Sequence, residues 1–472
     1  MITAGSLRRT SARAAVLVFL AAALAVGGAS LEGEFAQAVF FAASGLVLAG
    51  LFAVSPGWIR GPAISVLLFT LALAGLLVAQ IIPLDVALTG ALPGRDAALA
   101  SLAALGFAPR QMTLSLAPEA SLAGLIAFLG PLAGFCLVAA IRWRRSAGML
   151  KWGIPALGAA SALLGLAQVL LGKAYPELYF YDFTTRGLPV GVFSNPNHQA
   201  SFLLMCLPFV AALGAQLQRD WEGSDVQSAQ ATYVIVTGLL LITGIFGAGS
   251  AAGYLLLAPV LVLSASLFLA GRTRSSVTQI AGVAMVPLVL AFAALVVFTS
   301  PRLSGLGVTS FEDGPGSRIG INKVSSEMIE TYWQAGTGLG TYASVYNLHE
   351  DPGTVTGTFI AHAHNDYFEW IIETGMAGAA LLGLFLVWWF FQLARLWSRP
   401  DLDGLRLRRA ASVACLVPVL HSLVDYPLRT PGIAALAGVC LAIMVVTRPR
   451  KEAPIKERED TETIEETRNV VI

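Results

Sequence analysis

Residues 62–83 read PAISVLLFTLALAGLLVAQIIP, a run of 22 residues without a charged side chain. A helix of this length is long enough to cross a hydrocarbon core of about 30 Å. The whole chain has the same character, since 56% of its residues are apolar, 12% are charged and its mean hydropathy is +0.72. This composition is far from that of a soluble globular domain. The sequence therefore predicts an integral membrane protein.

Comparable apolar runs recur along the chain and predict an all-α polytopic membrane protein with about 12 transmembrane helices. The predicted spans are 14–31, 35–54, 62–83, 117–141, 149–171, 198–217, 232–249, 251–271, 277–299, 368–394, 410–426 and 431–447. The two spans that meet near Gly249 could instead form one broken helix.

The distribution of Lys and Arg predicts the orientation of the chain. With the N-terminus in the cytoplasm, 22 of the 30 basic residues fall on the cytoplasmic side and 8 on the other. Because short loops rich in Lys and Arg stay in the cytoplasm, we expect both termini there. A signal peptide is the alternative for the first span, since Arg8 and Arg9 precede an apolar stretch that ends near Ser30. Its cleavage would leave the other orientations unchanged.

The predicted spans divide the chain into four regions. The first region, 1–299, holds predicted helices 1–9 and a periplasmic loop near 173–197. A large periplasmic loop follows at 300–367. The third region, 368–447, holds predicted helices 10–12, and the fourth, 448–472, is a disordered cytoplasmic tail. The large loop contains an amphipathic helix, judged from apolar residues at helical spacing. These residues are Ile321, Val324, Met328 and Tyr332.

Two features of the composition limit the function classes. All four cysteines lie inside predicted spans, which argues against a disulfide framework or a cysteine-bound zinc. The net charge of +1 gives no indication of nucleic-acid binding.

The first polar segment, 186–198, reads RGLPVGVFSNPNH and leads directly into a span. Asn195 and Asn197 suit a turn and a helix N-cap, a purely structural interpretation. Neither the turn nor the cap requires Arg186 or His198. Because a helix N-terminus favours anions, these two residues predict a phosphate-binding site.

The second segment, Gly314-Pro315-Gly316-Ser317-Arg318, opens the amphipathic helix of the large loop. Its arginine could simply be solvated, but the loop is poor in basic residues and its glycines allow a ligand to approach the backbone. The later GTGLG run at 336–340 lacks the Lys-Ser or Lys-Thr of a P-loop, so we interpret it as a turn.

The third segment, 361–378, reads AHAHNDYFEWIIETGMAG and is the richest in polar residues. Asp366 and Glu369 fit a capping box. Glu373 lies on the same helical face, and a carboxylate below the membrane interface needs a partner or a wet cavity. His362 and His364 suggest a metal only weakly, because no third ligand accompanies them.

The fourth segment, 421–429, reads HSLVDYPLR and follows the eleventh predicted span. Asp425 and Arg429 could form an ion pair at the interface. Alternatively, Asp425 orients Arg429 as a second anion-binding arginine.

Taken in order, these segments resemble the O-antigen ligase and O-antigen polymerase family of bacterial inner-membrane glycosyltransferases. The resemblance is carried by GVFSNPNH at 191–198, by Gly-Ser-Arg at 316–318, by GTGLG, by His-Asn at 364–365 followed by Glu-x-Gly-x-x-Gly at 373–378, and by 421–429. One departure is notable: many relatives carry Ser-Arg-Gly where this chain has Ser250-Ala251-Ala252-Gly253. A role of that arginine in binding lipid phosphate is missing here or met elsewhere.

The resemblance implies a GT-C-like fold that transfers a glycan from undecaprenyl diphosphate to an acceptor hydroxyl on the periplasmic side, without a metal or another cofactor. The acceptor would be a glycan or the lipid A core, and the product lipopolysaccharide or exopolysaccharide. We expect Arg186 and Arg318 to bind the diphosphate, His364 to act as the base and His198 to be its reserve. The remaining polar residues are expected to bind substrate: Asn195, Asn197, Asn365, Glu369, Glu373, Asp425 and, as a weaker diphosphate ligand, Arg429.

Two alternatives remain open at this point. A flippase for lipid-linked glycans or a secondary transporter would place ionisable residues near the bilayer midplane, whereas these spans are nearly free of charge. Asp401-Leu402-Asp403 has the Asp-x-Asp pattern of nucleotide-sugar enzymes, but it lies in a basic cytoplasmic loop and suits a solvated turn better. The sequence does not separate a ligase from a polymerase or from a protein oligosaccharyltransferase.

Overall fold

A computed structural model describes residues 4–30, 32–54, 59–140, 143–269, 318–353, 359–399 and 405–446. The ninth predicted span at 277–299, the first part of the large loop, the Asp-x-Asp pattern and the tail at 448–472 lie outside these residues.

Nearly all regular structure in these ranges is helical. The helices are α1 (Ala4–Val26), α2 (Glu34–Val54), α3 (Pro62–Ile81), α4 (Val86–Thr89), α5 (Asp96–Ala104), α6 (Pro118–Ala127), α7 (Leu129–Ala140), α8 (Trp143–Leu171), α9 (Pro196–Arg219), α10 (Asp225–Gly247), α11 (Ala251–Leu269), α12 (Arg318–Tyr332), α13 (Tyr342–His349), α14 (Asp366–Trp397), α15 (Leu405–His421) and α16 (Pro431–Val446). Strands β1 (Leu84–Asp85) and β2 (Gln111–Met112) pair antiparallel, and 3₁₀ turns occupy Pro176–Leu178 and Pro427–Arg429.

Eight helical stretches within the described ranges are long and apolar enough to cross a membrane. They comprise α2, α3, α6 with α7, most of α8, α9, α10, α11 and α14, and α1 and α16 add shorter apolar helices. Large apolar side chains such as Phe35, Leu71 and Val387 lie exposed on the outside of the bundle, as expected for a surface that faces lipid. The prediction of a polytopic helical membrane protein is confirmed, whereas the count of twelve stays a prediction.

Each predicted span that falls within the described ranges overlaps a helix, with two details that the sequence left open. The predicted span 117–141 is two consecutive helices, α6 and α7. The pair near Gly249 is also two helices, because Gly249 has a φ of +66° and the Ser250 side chain caps α11 by accepting a hydrogen bond from the Gly253 amide at 3.0 Å.

Helix α9 lies at the centre of the bundle. In its most apolar stretch 83% of the residues are buried, against 11% in α14, which faces the outside. It packs against α8, α10, α11 and α15, while α7 packs closely on α16. Whatever lies at either end of α9 is therefore surrounded by the ends of its neighbours.

The direction of these helices creates two chemically different ends. Arg406 of α15 donates to the Ala215 carbonyl at 3.4 Å, and Arg408 donates to the Met444 carbonyl at 2.8 Å. The start of α15 thus meets the last turns of α9 and α16, and we call this the basic end. The start of α9, the last turn of α15 and the start of α16 gather at the opposite end, which we call the histidine end.

Helices α12 and α13 and the first part of α14 enclose a second, smaller apolar core. Its buried members are Ile321, Met328, Tyr332, Tyr342, Val345, Tyr346, Ile360, Ala363 and Ile372. The amphipathic helix predicted for the large loop is therefore confirmed as α12, with Val324 partly buried beside this core.

A kink at Gly375 divides α14 into two parts, 366–374 and 376–397. Gly375 has a φ of 63° and a ψ of −161°, a conformation that is essentially restricted to glycine. The turn at 336–340 packs against the kink, and the amides of Thr337 and Gly338 donate to the carbonyls of Ile372 and Glu373, each at 2.9 Å. The kink thus fixes the direction of 366–374.

We expect Gly375→Ala to destabilise the protein by roughly 2–4 kcal/mol, because the backbone conformation is strained for alanine and the added Cβ meets neighbouring backbone. That Cβ would lie 2.7 Å from the Gly336 amide nitrogen. Thermal unfolding of the detergent-purified protein measures the effect. Gly383→Ala in the same helix is the matched control, since its Cβ would have no atom within 4 Å. Equal midpoints for the two variants would contradict the prediction.

Candidate active site

All four polar segments singled out by the sequence contribute side chains to the histidine end. The first supplies the start of α9, the second the start of α12, the third the entry into α14, and the fourth the connection between α15 and α16. The carboxylate of Asp425, in the fourth segment, is the point at which they meet.

The start of α9 shows how local structure positions one contact. Asn195 is the N-cap, and its side chain accepts a hydrogen bond from the Asn197 amide at 2.8 Å. The predicted cap is thus confirmed. Because Asn195 satisfies this end of the helix, the Asn197 side chain can donate to Oδ2 of Asp425 at 2.7 Å.

Asp425 is fully buried and faces four groups that can carry positive charge. Its Oδ1 lies 3.5 Å from Nδ1 of His364 and 4.0 Å from Nε2 of His198. Its Oδ2 lies 3.6 Å from Nη2 of Arg318 and 3.9 Å from Nε2 of His421. One carboxylate therefore faces a guanidinium and three imidazoles, an arrangement with capacity for further negative charge.

The charge state of Asp425 follows from these neighbours. Burial alone would raise the pKa of its carboxyl group, but the nearby imidazoles of His364, His198 and His421 hold the pKa well below its ordinary value of 3.8. The carboxylate therefore stays ionised near neutral pH. Its contribution to stability is present above its ordinary pKa and is lost only as the pH falls through the lower, folded-state value.

Several imidazole nitrogens at this site are buried without a hydrogen-bond partner among the described residues. They are Nε2 of His198, His362 and His421 and Nδ1 of His364. The second nitrogens of His198 and His421 bond to Thr430 Oγ1, at 3.0 Å, and to Ser201 Oγ. These bonds fix the two rings with their unpaired nitrogens toward Asp425. Buried polar atoms normally pair with protein, water or a ligand, so the cluster is suited to a polar ligand.

Tyr426 connects this cluster to a second one. Its ring lies 4.2 Å from the His362 ring, measured between centroids, and 5.1 Å from the rings of both His198 and His364. Its amide donates to Oδ1 of Asp425 at 2.9 Å. No sequence pattern indicated this role, because a tyrosine before a proline at a helix end also suits a simple membrane-interface anchor.

The second cluster surrounds Arg429. Its Nη2 lies 2.7 Å from Glu373, its Nη1 3.4 Å from Glu369 and its Nε 3.6 Å from Asp366. The three carboxylates share one face of 366–374, as their spacing predicted. Burial alone would lower the pKa of Arg429, but these carboxylates raise it above its ordinary value. The sequence analysis considered an ion pair between Asp425 and Arg429, and this was wrong. Asp425 faces Arg318 and histidines, and Arg429 pairs with the three carboxylates.

Glu369 also orients an imidazole. Its Oε1 lies 2.9 Å from Nδ1 of His362, and its Oε2 accepts the Ala363 amide at 3.0 Å. A carboxylate on Nδ1 leaves Nε2 of the same ring available to take a proton, as in catalytic triads. His362 was considered in the sequence only as a weak metal ligand.

The predicted capping box was wrong by one residue. The N-cap of α14 is Asn365, whose side chain accepts the amides of Tyr367 and Phe368 at 3.0 and 3.2 Å. Asp366 is already helical, and its carboxylate instead accepts the Ser422 hydroxyl at 2.7 Å. The Asn365 amide group also donates to the Leu423 carbonyl at 3.1 Å.

His364 has two properties that distinguish it from the other histidines of the cluster. It has a φ of 50°, and it is the one non-glycine residue with positive φ in the part of the chain that the structure describes. Such strain persists only where the surroundings impose it, and it concentrates at functional sites. Its side chain is 29% exposed, against 1% for His198 and 0% for His421, so a substrate can reach it.

Arg186 is the predicted site residue that the structure does not bring to this cluster. It lies exposed in the connection from α8 to α9, and among the described residues its guanidinium forms no hydrogen bond or ion pair with the other predicted site residues. Within the same residues, no group of three His, Cys, Asp or Glu side chains has a geometry that could hold a metal ion.

The family comparison covers the middle of this architecture. Residues 236–383 match the family described as O-antigen ligase. The matched region belongs to the O-antigen ligase family. This match confirms the resemblance drawn from the motifs, and it includes Arg318, His362, His364 and the three carboxylates of α14. The other half of the candidate site, at the start of α9 and after α15, lies outside the match. A comparison with curated proteins gave no match.

We expect Arg429→Met to destabilise the protein by about 3–5 kcal/mol, because it leaves three buried carboxylates without their cation. Arg186→Met is the control, and removing that exposed side chain should change the free energy of unfolding by less than about 0.5 kcal/mol. Thermal unfolding in detergent measures both.

A further variant tests the physical cause. Adding Glu369→Gln and Glu373→Gln to Arg429→Met should restore part of the lost stability, as expected for coupled neighbours. Additive losses would show that the carboxylates are not the partners that matter.

Proposed function

We propose that the protein is a glycosyltransferase that moves a glycan from undecaprenyl diphosphate to an acceptor hydroxyl, as a ligase or polymerase of surface polysaccharide. The family match supports the surface-polysaccharide role. The observation that carries the chemistry is the convergence of Arg318, His364 and His198 on the buried carboxylate of Asp425.

Arg318 is the main ligand for the donor diphosphate in this proposal. Its side chain is 45% exposed, while Nη2 lies 3.6 Å from Oδ2 of Asp425. Because three imidazoles also face Asp425, Arg318 is not the sole partner of that carboxylate. A planar guanidinium can pair with two phosphate oxygens at once and stabilise the charge that develops on the leaving group. Arg186 lies outside this cluster, so a role for it would require the bound donor to extend to the connection before α9.

His364 is the proposed base. With Nδ1 toward Asp425, its Nε2 is the nitrogen available to the acceptor hydroxyl. The acceptor oxygen attacks the anomeric carbon as its proton passes to His364. The bond from that carbon to the phosphate oxygen breaks, and its electron pair leaves with the diphosphate. One displacement of this kind inverts the anomeric centre.

Two other imidazoles lie within reach of the same reaction. His198 is buried, with Nδ1 bonded to Thr430, so it is better suited to hold the ligand than to exchange a proton with solvent. His362, held by Glu369 on another side of the Tyr426 ring, is a second imidazole with a free Nε2. The proposed reaction needs no metal, because arginine side chains supply the positive charge.

The arrangement of the two ends supports a periplasmic active site in a GT-C-like fold of the bacterial inner membrane. Arg406 and Arg408 lie at the basic end, and the excess of Lys and Arg on that side favours the cytoplasm for it and for both termini. The candidate site lies at the other end of α9. A flippase or transporter would need ionisable groups near the bilayer midplane, and the two clusters described here lie at helix ends instead.

Complementation of a deletion strain tests the proposal. The experiment compares, at matched membrane expression, the wild type, Arg318→Ala, His364→Ala and the control Lys323→Ala. Lys323 is an exposed residue of the same helix as Arg318. The readouts are surface glycan on a gel and accumulated undecaprenyl-linked glycan. We expect the first two variants to lose activity about 100-fold or more while donor accumulates, and the control to behave as wild type.

Each other outcome has a definite meaning. Normal glycan from both site variants would reject the assignment of the site. Donor accumulating on the cytoplasmic face of the membrane in the deletion strain would favour a flippase. Accumulation of single lipid-linked repeats would indicate a polymerase, and accumulation of long lipid-linked chains a ligase.

A further inference from the structure

A cavity of about 230 Å³ lies between α1 and α8, apart from both charged clusters. It is almost entirely apolar, and Ser161 is the one polar residue in its lining. The lining residues are Ala21, Leu24, Ala25, Leu157, Ala160, Ser161, Leu164, Phe180 and Val192.

The cavity lies in the half of the bundle nearer the histidine end. Its lining in α8 begins at Leu157, and from there to the end of that helix at Leu171 the axis extends about 20 Å, roughly the depth of one lipid leaflet. Phe180 and Val192, from the connection between α8 and α9, close the part of the cavity nearest the histidine end. The cavity is therefore a cleft that descends from this connection along α1 and α8.

The cleft is open toward the surrounding lipid. Ala21, Ala25 and Ala160 line it and are themselves exposed, because their small side chains leave the gap between the two helices unfilled. Beyond the cleft the outer face of α8 is apolar, with Leu163 50% and Leu170 70% exposed. A molecule would reach the cleft most directly from the hydrocarbon layer.

Hydrogen bonds link the end of the cleft nearest the histidine end to the first turn of α9. Ser161 Oγ donates to the side chain of Gln199 at 2.7 Å, and Gln199 follows His198 in the first turn of α9. The Val192 amide donates to the same Ser161 oxygen at 3.2 Å. Arg186 lies between Phe180 and Val192 in the connection that closes the cleft. Through Ser161 and Gln199 the cleft therefore adjoins the start of α9.

We propose that this cleft holds the part of the polyprenyl chain closest to the donor diphosphate, an inference that rests on the proposed function. If the diphosphate of the donor is held beside the start of α9, its apolar chain must extend from there into the lipid. The cleft begins beside the start of α9 and opens toward lipid, so it offers the chain this path. The polyprenyl chain has apolar surroundings in the bilayer as well as in the cleft. The binding free energy that it contributes therefore comes from close van der Waals contact and not from transfer out of water. The effect of the chain on affinity is therefore moderate.

Cavity-filling variants test the proposal by binding rather than by activity. Undecaprenyl diphosphate, inorganic diphosphate and phosphatidylglycerol are titrated onto the purified full-length protein and measured by native mass spectrometry. We expect a chain-length difference, with wild type binding undecaprenyl diphosphate about tenfold more tightly than inorganic diphosphate, which has no chain. Ala21→Trp and Ala160→Trp should remove this difference and leave the affinity for inorganic diphosphate unchanged. Ala22→Trp is the matched control, since Ala22 is exposed on α1 but does not line the cleft.

Cysteine labelling gives a second measurement that does not require a bulky side chain to be accommodated. The four native cysteines are buried, so Ala160→Cys and the control Ala22→Cys each introduce an exposed thiol. We expect undecaprenyl diphosphate to slow the reaction of the Ala160→Cys thiol with an apolar maleimide, and to leave the reaction of the Ala22→Cys thiol unchanged. Equal protection by phosphatidylglycerol would show that ordinary bilayer lipid fills the cleft, and would overturn the proposal.

The binding data also separate the two levels of the hypothesis. If the tryptophan variants keep the full chain-length difference, the cleft assignment is wrong and the proposed donor stands. If wild type binds neither diphosphate better than phosphatidylglycerol, the proposed donor fails and the cleft assignment fails with it. Arg318→Ala should weaken both diphosphates equally and preserve the chain-length difference.

Discussion

The buried carboxylate of Asp425 is the constraint around which the histidine end is organised. An ionised group removed from water is tolerated only if partners replace its hydration. Those partners come from four separate segments: Asn197 at the start of α9, Arg318 at the start of α12, His364 before α14 and His421 in the last turn of α15. The same requirement operates a few residues further on, where Arg429 compensates three carboxylates of α14. The packing of the helix ends and the chemistry of the site are consequences of the same electrostatic demand.

The two clusters have opposite electrostatic character although they share one short connection. Around Asp425 a single carboxylate faces one guanidinium and three imidazoles, whereas around Arg429 a single guanidinium faces three carboxylates. Tyr426 lies between them and contacts histidines that belong to both. A diphosphate and a hydroxyl nucleophile need such unlike surroundings at close range, one to accept negative charge and the other to lose a proton. This contrast is the main physical support for a transferase site rather than a purely structural ion network.

The sequence predicted the helices and the segments of the site more reliably than the contacts between them. Span positions follow from hydrophobic length, which is a local property, and the cap at Asn195 follows from its own side chain. The pairing of Asp425 with Arg429 failed because both side chains have partners from other parts of the chain: Asp425 faces Arg318 and histidines, and Arg429 faces the carboxylates of α14. The role of Tyr426 and the kink at Gly375 depend on chain segments that are distant in sequence, so no local pattern could have indicated them.

The long sequence separation of these contacts bears on how the protein is made. Asn197 and Asp425 are 228 residues apart, and His198 and Thr430 are 232 apart, so the pocket is incomplete until nearly the whole polypeptide has been synthesised. Chains grow from the N-terminus and long-range contacts form late, which means that α9 enters the membrane with His198 and Asn197 still lacking their partners. A nascent or truncated chain would thus carry the cleft, Asn197 and His198 but no Asp425. Incomplete molecules would lack the assembled site, so the proposed activity would appear only after the last helices have been inserted.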